Sequence, residues 1–482
     1  MKKSLACSVK TPLRRVPIRE MSSTDEHPME LSEDKRAALK EWLTSGNVVL
    51  QPLTLPQREL WETSPVPVAD VANHICCLIN IRGVLTPEAC EDAVRRVVER
   101  QEALRLSFLP GKAGPVQMIR RTAEPNLQYR PLPNGLIHNE AVEEAANEVF
   151  SKPFDLVRGP LYRAEVLRLS ADVHVIVLAI HHAIADGWTL GIFVEDLCAS
   201  YILRIIQPNE RLPAVPLTYA AWGAAEREFW TPKELERRAP FWRSQLAGTR
   251  RLWSSLEGPI TAGGPAQRLV LHFPPDLAEA ASELARKTGA TLFSTLLAAF
   301  QTALSRWTNE ADVLVGTPTA NRTKQSVRET MGYFAGIVPI RGYVEPERTF
   351  AESLKAVHQT ATDCFANAMP FAELAPTLGE KPVPGHNPVF EVRFALQNHP
   401  VPDVALHGLS ASLSMRSTGT ARFHLGCEIT VVDEGLEVVW LFRPQLFPLA
   451  EIKNLANLFQ AILAAACSSP DSRIKSLVGK NA

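Results

Sequence analysis

From Val173 to Ile180 the chain is apolar and mostly β-branched: Val173, Val175, Ile176, Val177, Leu178 and Ile180 make the pattern of a strand buried on both faces. Beyond it the period changes. Leu190, Phe193, Val194, Leu197 and Tyr201 recur at steps of three and four residues, which predicts an amphipathic helix. His181 to Gly187, reading His-His-Ala-Ile-Ala-Asp-Gly, is then the strand-to-helix connection. A connection held between a rigid strand and a rigid helix can fix a side chain to the tolerance that catalysis needs.

Elsewhere the patterning is weaker but still divides the chain. Residues 1 to about 30 mix Lys, Arg, Ser, Pro and Glu without periodicity, so they are expected to be disordered, with Met21 a second candidate start. Ser32 to Leu43 reads as a short helix, with Ser32 as its cap, Glu33 and Asp34 in its first turn, and an apolar stripe of Leu39, Trp42 and Leu43. That helix serves either to pack on the body of the protein or to dock a partner. From residue 51 strands and helices alternate without repeats. The Pro-rich stretch Gln207 to Pro216, followed by a polar helix through Glu226 and Arg227, is the candidate linker between two lobes.

Composition narrows the function classes. A chain of 482 residues with 46% hydrophobic residues can fill two cores. A net charge of -1 does not favour a polyanionic partner such as nucleic acid. No apolar run approaches the ~20 residues that span a bilayer. The opening MKKSLACSVKTPLRR lacks a secretory apolar core, so a cytoplasmic location is expected. The eight cysteines, Cys7, Cys76, Cys77, Cys90, Cys198, Cys364, Cys427 and Cys467, form no CxxC pair and no zinc spacing. They read as reduced thiols, with Cys198 and Cys467 small hydrophobes in apolar helices. A thiol nucleophile has no supporting motif.

Two histidines after a strand serve equally as core residues bonded to backbone. The order His181, His182, Asp186, Gly187 favours chemistry, because it resembles the HHxxxDG signature of the condensation domains of non-ribosomal peptide synthetases. In the looser form HxxxDG this is shared with chloramphenicol acetyltransferase. Further blocks follow in the family's order from about residue 51: LTLPQRELW (Leu53 to Trp61), RQEALRLSF (Arg100 to Phe108), PLYRAEV (Pro160 to Val166), Tyr219 to Trp222, FWRSQLAG (Phe241 to Gly248), VGTPTANR (Val315 to Arg322), MGYFAGIVPIR (Met331 to Arg341) and NPVFEVRFALQN (Asn387 to Asn398). The chain departs from the pattern at Gln101, where histidine is usual, at Gly336, where asparagine is usual, and at His424, where aspartate is frequent.

The resemblance implies an α/β fold of two chloramphenicol-acetyltransferase-like lobes, a V-shaped pseudo-dimer with a tunnel between them. Residues 1–50 would be an extension, 51–222 the lobe carrying HHxxxDG and 223–482 the C-terminal lobe. Helix Pro275 to Lys287, strands Ala311 to Gly316 and Val389 to Leu396, and the last helix Ile452 to Ala466 would belong to the second lobe. His182 is the implied catalytic residue, with Gly187 allowing close backbone approach or an oxyanion contact. Asp186 is implied to pair with Arg163 on the neighbouring strand as support for the site, together with His181. Trp188, Tyr333, Gly336 and Gln397 are the candidate tunnel residues, and no metal is implied.

The implied reaction is acyl transfer from a carrier-protein thioester to an amine or hydroxyl, giving an amide or ester. No bound cofactor is implied beyond the phosphopantetheine arm of the partner. An α-amino group with pKa of about 7.7 to 8.0 is partly neutral near pH 7. The zwitterion formed by its attack must lose a proton, which a neutral imidazole can take; whether His182 acts as base or as hydrogen-bonding group stays open. Intact histidines exclude the cyclisation type, which carries DxxxxD, and DGWTLGIF is nearer the condensing form than the epimerising one. The only Gly-Gly, Gly263 to Gly264, is followed by Pro-Ala-Gln, so no LGGxS carrier segment is present, and no GxSxG occurs. The expectation is a free-standing or excised enzyme that meets an acyl or peptidyl carrier in trans, with the acceptor on a second carrier or a free small molecule. The alternatives are a non-catalytic recruitment module and a coenzyme A-dependent acyltransferase.

Overall fold

The hydrophobic residues separate into two large cores, one for each half of the chain. They are seen in a computed structural model that describes residues 33–64, 66–111, 114–130, 138–249, 252, 265–379, 387–397, 403–406 and 408–477. The expected N-terminal disorder, the Ser32 cap, Cys7, Gly263 and Gly264 lie outside the described residues. Among those described, no helix is long and apolar enough to cross a membrane.

The first core is built on a six-stranded sheet with strand Val173–His181 in its middle, flanked by His74–Arg82 and Tyr162–Arg168, both antiparallel to it. Every residue from His174 to His181 is buried, as the unbroken apolar run predicts. Helix Gly187–Ile206 follows at once, with Asp186 as its N-cap accepting the Thr189 N–H. Helix Pro87–Arg100 packs beside it.

The second core fills a sheet ordered Gly336–Tyr343, Asp312–Thr319, Val392–Gln397, Leu425–Val432, Gly435–Phe442 and Gln267–Phe273. Phe300 lies at its centre, with ring centroids 4.8 Å from Phe394, 5.7 Å from Trp440 and 5.9 Å from Phe459. The helix read as Pro275 to Lys287 spans Pro275–Thr288 and ends at Gly289 in the left-handed region. The strand read as starting at Val389 starts at Val392. The Asn387 side-chain oxygen accepts the Val389 and Phe390 N–H groups and makes a turn of residues that would otherwise join the ladder.

The Pro-rich stretch 207–216 carries no helix or strand. It is tied to helix Pro87–Arg100: Arg96 donates to the Pro208 and Glu210 carbonyls, and Arg100 to that of Pro213. Beyond it the second half lends segments to the first. Strand Leu409–Arg416 pairs antiparallel with His74–Arg82, so it and Asp403–Leu406 extend the first sheet from the far end of the chain. Val327, Met331, Tyr333 and Phe334 likewise belong to the first core. The cut expected at residue 222 is therefore crossed twice, because a period of two fixes which face of a strand is buried but not which sheet receives it.

Candidate active site at the seam of the two halves

The two histidines have opposite fates. His181 is fully buried and both ring nitrogens are used: Nε2 donates to the Val68 carbonyl at 2.8 Å and Nδ1 accepts the Ala183 N–H at 3.0 Å. These bonds select one neutral tautomer. Burial first, then neighbouring His74, holds its pKa down to about 3, and burial holds His74 at about 4. His182 begins a short 3-10 turn, is half-buried and meets the Tyr333 ring edge-on at 4.8 Å. Its Nδ1 is buried without a partner. Burial, the Arg422 guanidinium, His181 and Arg393 push His182 well below the usual imidazole value, so it is neutral near pH 7. The core reading of such histidines thus suits His181, whereas His182 is partly exposed and faces Tyr333.

Asp186 does not pair with Arg163. Arg163 sits opposite Ala179 in the sheet and turns to the end of helix His138–Ser151. There it donates to the carbonyls of Val149, Lys152 and Pro153 and stacks 3.9 Å over the Phe154 ring. Those carbonyls have no intrahelical donors, which is why a cation settles on them. The partner of Asp186 is Arg322, whose Nη2 lies 3.1 and 3.2 Å from the two carboxylate oxygens. Side-chain exposures of 1% and 6% make this a fully desolvated pair. Asp186 also accepts the Thr189 N–H and hydroxyl at 2.9 Å and the Phe334 N–H at 3.2 Å. Arg322 donates onward to the Val327 and Thr330 carbonyls and lies 3.9 Å over the Phe334 ring. Arg322 closes the block VGTPTANR, but nothing in the sequence linked it to the histidine loop.

These bonds hold segment 322–334 of the second half against the histidine loop of the first. Gln101 adds to them, donating to Asp196 at 2.8 Å and to the Glu329 carbonyl at 2.9 Å, and accepting the Met331 N–H at 2.9 Å. The Tyr219 hydroxyl donates to the Tyr333 carbonyl at 2.8 Å, and Tyr219 packs so near Gly332 that a Cβ there would meet the ring at 2.3 Å. Backbone from both sides thereby fixes the Tyr333 ring on His182.

Around His182 the seam is charged. Burial raises the Glu59 carboxyl to about 8 against the lowering effect of Arg422. Tyr333 is also raised by burial, and Arg393 is lowered to about 10. Arg393 and Gln397, on strand Val392–Gln397, both donate to the Glu428 carboxylate. Gly187 is the first residue of its helix. Trp188 lies against the crossing segment and donates to the Arg328 carbonyl at 3.2 Å. Gly336 starts the edge strand beside Thr319, and His424 is buried. Of the tunnel candidates, Tyr333 meets His182 directly, and Gln397 belongs to the Glu428 cluster. Glu59, Arg393 and Arg422 were not singled out beforehand, although Glu59 is a carboxylate inside the apolar block LTLPQRELW. The described cysteines are free, and burial raises Cys76 and Cys198 to about 12, so they are protonated.

Comparison with known proteins places this geometry. The family model "Condensation domain" matches residues 49–479. A linear gramicidin synthase chain of Brevibacillus parabrevis is 30% identical over 440 residues, which are 88% of this chain and 8% of that protein. The chain thus spans less than a tenth of that relative's length. The X-domain in complex with OxyB from teicoplanin biosynthesis superposes with a TM-score of 0.76 at 23% identity, covering 89% of this chain and 95% of that one. SgcC5 from Streptomyces globisporus does so at 0.73 and 24%, covering 88% and 100%.

A double-mutant cycle tests the pairing of Asp186. Removing Arg322 leaves a buried carboxylate unpaired and is expected to cost about 3–5 kcal/mol in urea unfolding. Arg322→Ala and Asp186→Ala should be strongly non-additive, whereas Arg163→Ala and Asp186→Ala should add to within about 0.5 kcal/mol.

The buried histidines set an acid limb of stability. Unfolded, each takes a proton below about pH 6.5, and folded, His74 and His181 refuse it down to about 4 and about 3. Their stabilising effect is complete above pH 6.5 and is lost as pH falls through the folded values. His181→Gln should flatten the fall between pH 6.5 and 4 by up to one proton, about 1.4 kcal/mol per pH unit, in denaturation measured against wild type.

Proposed function

The chain belongs to the condensation-domain family, and on that premise we propose that it transfers an acyl group from a carrier-protein phosphopantetheine thioester to an amine or hydroxyl acceptor. The observation that supports this reading is His182: partly exposed, neutral and edge-on to Tyr333, next to the Asp186–Arg322 pair where the two halves meet.

The acceptor nitrogen attacks the thioester carbonyl and forms the new C–N bond. The ammonium of the tetrahedral adduct passes its proton to the His182 imidazole. The C–S bond then breaks, and the thiolate takes that proton and leaves as the carrier's free thiol. With a hydroxyl acceptor His182 takes the proton during attack itself. The Gly187 N–H, among the first-turn amides of helix Gly187–Ile206 that lack intrahelical partners, is the candidate donor to the oxyanion. His181, Asp186 and Arg163 support the loop and its strand without touching substrate. The carrier is met in trans, and its phosphopantetheine arm brings the thioester to His182 beside Tyr333.

Mass-spectrometric assay of acyl transfer from acyl-carrier and acyl-pantetheine donors to a panel of amines and alcohols tests the proposal. His182→Ala should lower product formation about 100- to 10,000-fold while leaving the unfolding curve in place. Equal and negligible product from both proteins, with donor bound, would instead indicate a carrier-binding module. Faster reaction of coenzyme A thioesters than of carrier-bound donors would indicate a coenzyme A-dependent enzyme.

The pH profile follows from the depressed value of His182. Its base form is present throughout the neutral range, so kcat/KM with an acceptor whose α-amino group ionises at about 7.7 to 8.0 should rise with pH through that value, with no limb at 6.5. Because Glu59 titrates at about 8, the same profile on Glu59→Gln assigns that limb. Persistence there gives it to the amine.

A further inference from the structure

Deepening the reading above and resting on it, we infer that Gln57 is a positioning residue for acyl transfer, whose buried side-chain amide holds the turn that carries His182. Gln57 belongs to the block LTLPQRELW and is the third residue of helix Leu55–Glu62. It is fully buried, and its Nε2 donates to the Ala183 carbonyl at 2.9 Å.

The histidine turn needs such a hold. His182–Ile184 is a single 3-10 turn, and its own backbone bond, from the Ala185 N–H to the His182 carbonyl, is long at 3.4 Å. Both backbone groups of the next residue are bound instead by buried side chains. His181 Nδ1 accepts the Ala183 N–H at 3.0 Å, and Gln57 takes the Ala183 carbonyl. These two bonds fix the peptide planes on either side of Ala183, and with them the direction in which the His182 side chain leaves the backbone.

Both polar atoms of the Gln57 amide are engaged. Oε1 accepts the Thr54 N–H at 3.0 Å, the return bond of a capping box whose other half runs from the Gln57 N–H to Thr54 Oγ1. A capping box needs only that acceptor, so glutamate would serve it as well. The nitrogen is what capping leaves over, and it is spent on Ala183 and, at 3.3 Å, on Gln117 Oε1. The same cap reaches the ring facing His182. The Tyr219 hydroxyl spends its one hydrogen on the Tyr333 carbonyl, so Thr54 Oγ1, 2.9 Å away, donates to the Tyr219 oxygen. Thr54 and Gln57 thus hold Tyr333 through Tyr219 and His182 through Ala183, and the 4.8 Å contact between the two rings is set from one helix end. That helix is tied down in turn, by the Leu55 N–H on the Glu226 carboxylate at 3.2 Å and by Arg58 on Glu373 at 2.6 Å.

Steady-state transfer from an acyl-pantetheine donor tests the inference. In Gln57→Met, which keeps the volume and loses the donor, kcat should fall about 10- to 100-fold, the effect of moving a reacting group by about 1 Å, while the donor KM stays within about twofold. Gln117→Met removes the far end of the amide chain and leaves the Ala183 bond, so its kcat should stay within about threefold of wild type. Gln57→Glu keeps the capping oxygen but turns an acid toward the carbonyl, and only the protonated form donates. Its kcat relative to wild type should therefore rise as pH is lowered from about 9 to about 6. A wild-type kcat in Gln57→Met, an equal loss in Gln117→Met, or a Gln57→Glu ratio that does not change with pH would overturn the inference. If Gln57→Met does not fold, the Gln57→Glu ratio decides. His182-dependent product that is indifferent to Gln57 would sink the inference and leave the acyl-transfer reading standing. Absence of His182-dependent product from the wild type would sink the reading itself.

Discussion

A carboxylate that must not be left alone organises this molecule. Asp186 and Arg322 are 136 residues apart in the chain and meet where neither is hydrated. Once the loop after strand Val173–His181 buries Asp186, a cation has to follow it, since a buried charge without a partner is far costlier than the pair. Arg322 brings the crossing segment with it. Five further hydrogen bonds, from the Thr189 N–H and hydroxyl and the Phe334 N–H to Asp186 and from Arg322 to the Val327 and Thr330 carbonyls, hold that segment to the histidine loop.

The position of Tyr333 follows from this. With Arg322 and Phe334 held, and the Tyr333 carbonyl bonded to Tyr219, the phenol ring has one place to lie, edge-on to His182. The imidazole thus has an aromatic ring against it, and burial with nearby cations lowers its proton affinity. Neutrality at physiological pH needs no dedicated hydrogen-bond partner. Desolvation and nearby arginines suffice.

Of the charges around His182, Arg393 and Arg422 come from the other half of the molecule and Glu59 from its own. Arg393 pairs with Glu428 on the neighbouring strand, and burial keeps Glu59 largely protonated near pH 7. Leu409–Arg416 joins the first sheet and Leu425–Val432 the second, so the loop carrying Arg422 is anchored in both.

Local pattern was enough for much of this. The buried strand Val173–His181, the helix after it, the irregular stretch at 207–216 and the place of the histidine pair were legible because each rests on periodicity or on neighbours within a few residues. The family signature was legible for the same reason. What each side chain of the signature does was not. Whether a histidine is a core residue or a free base depends on what lies beyond the loop, here Val68 for His181 and Tyr333 for His182. Which arginine pairs with Asp186 depends on side-chain direction and on the return of a distant segment, and the family resemblance pointed to Arg163 where the structure has Arg322. The sequence determined the elements and the motif, since those are written in local spacing. Partners, protonation and the sharing of strands between halves were decided by the tertiary structure alone, because burial and charge are sums over everything that surrounds a group.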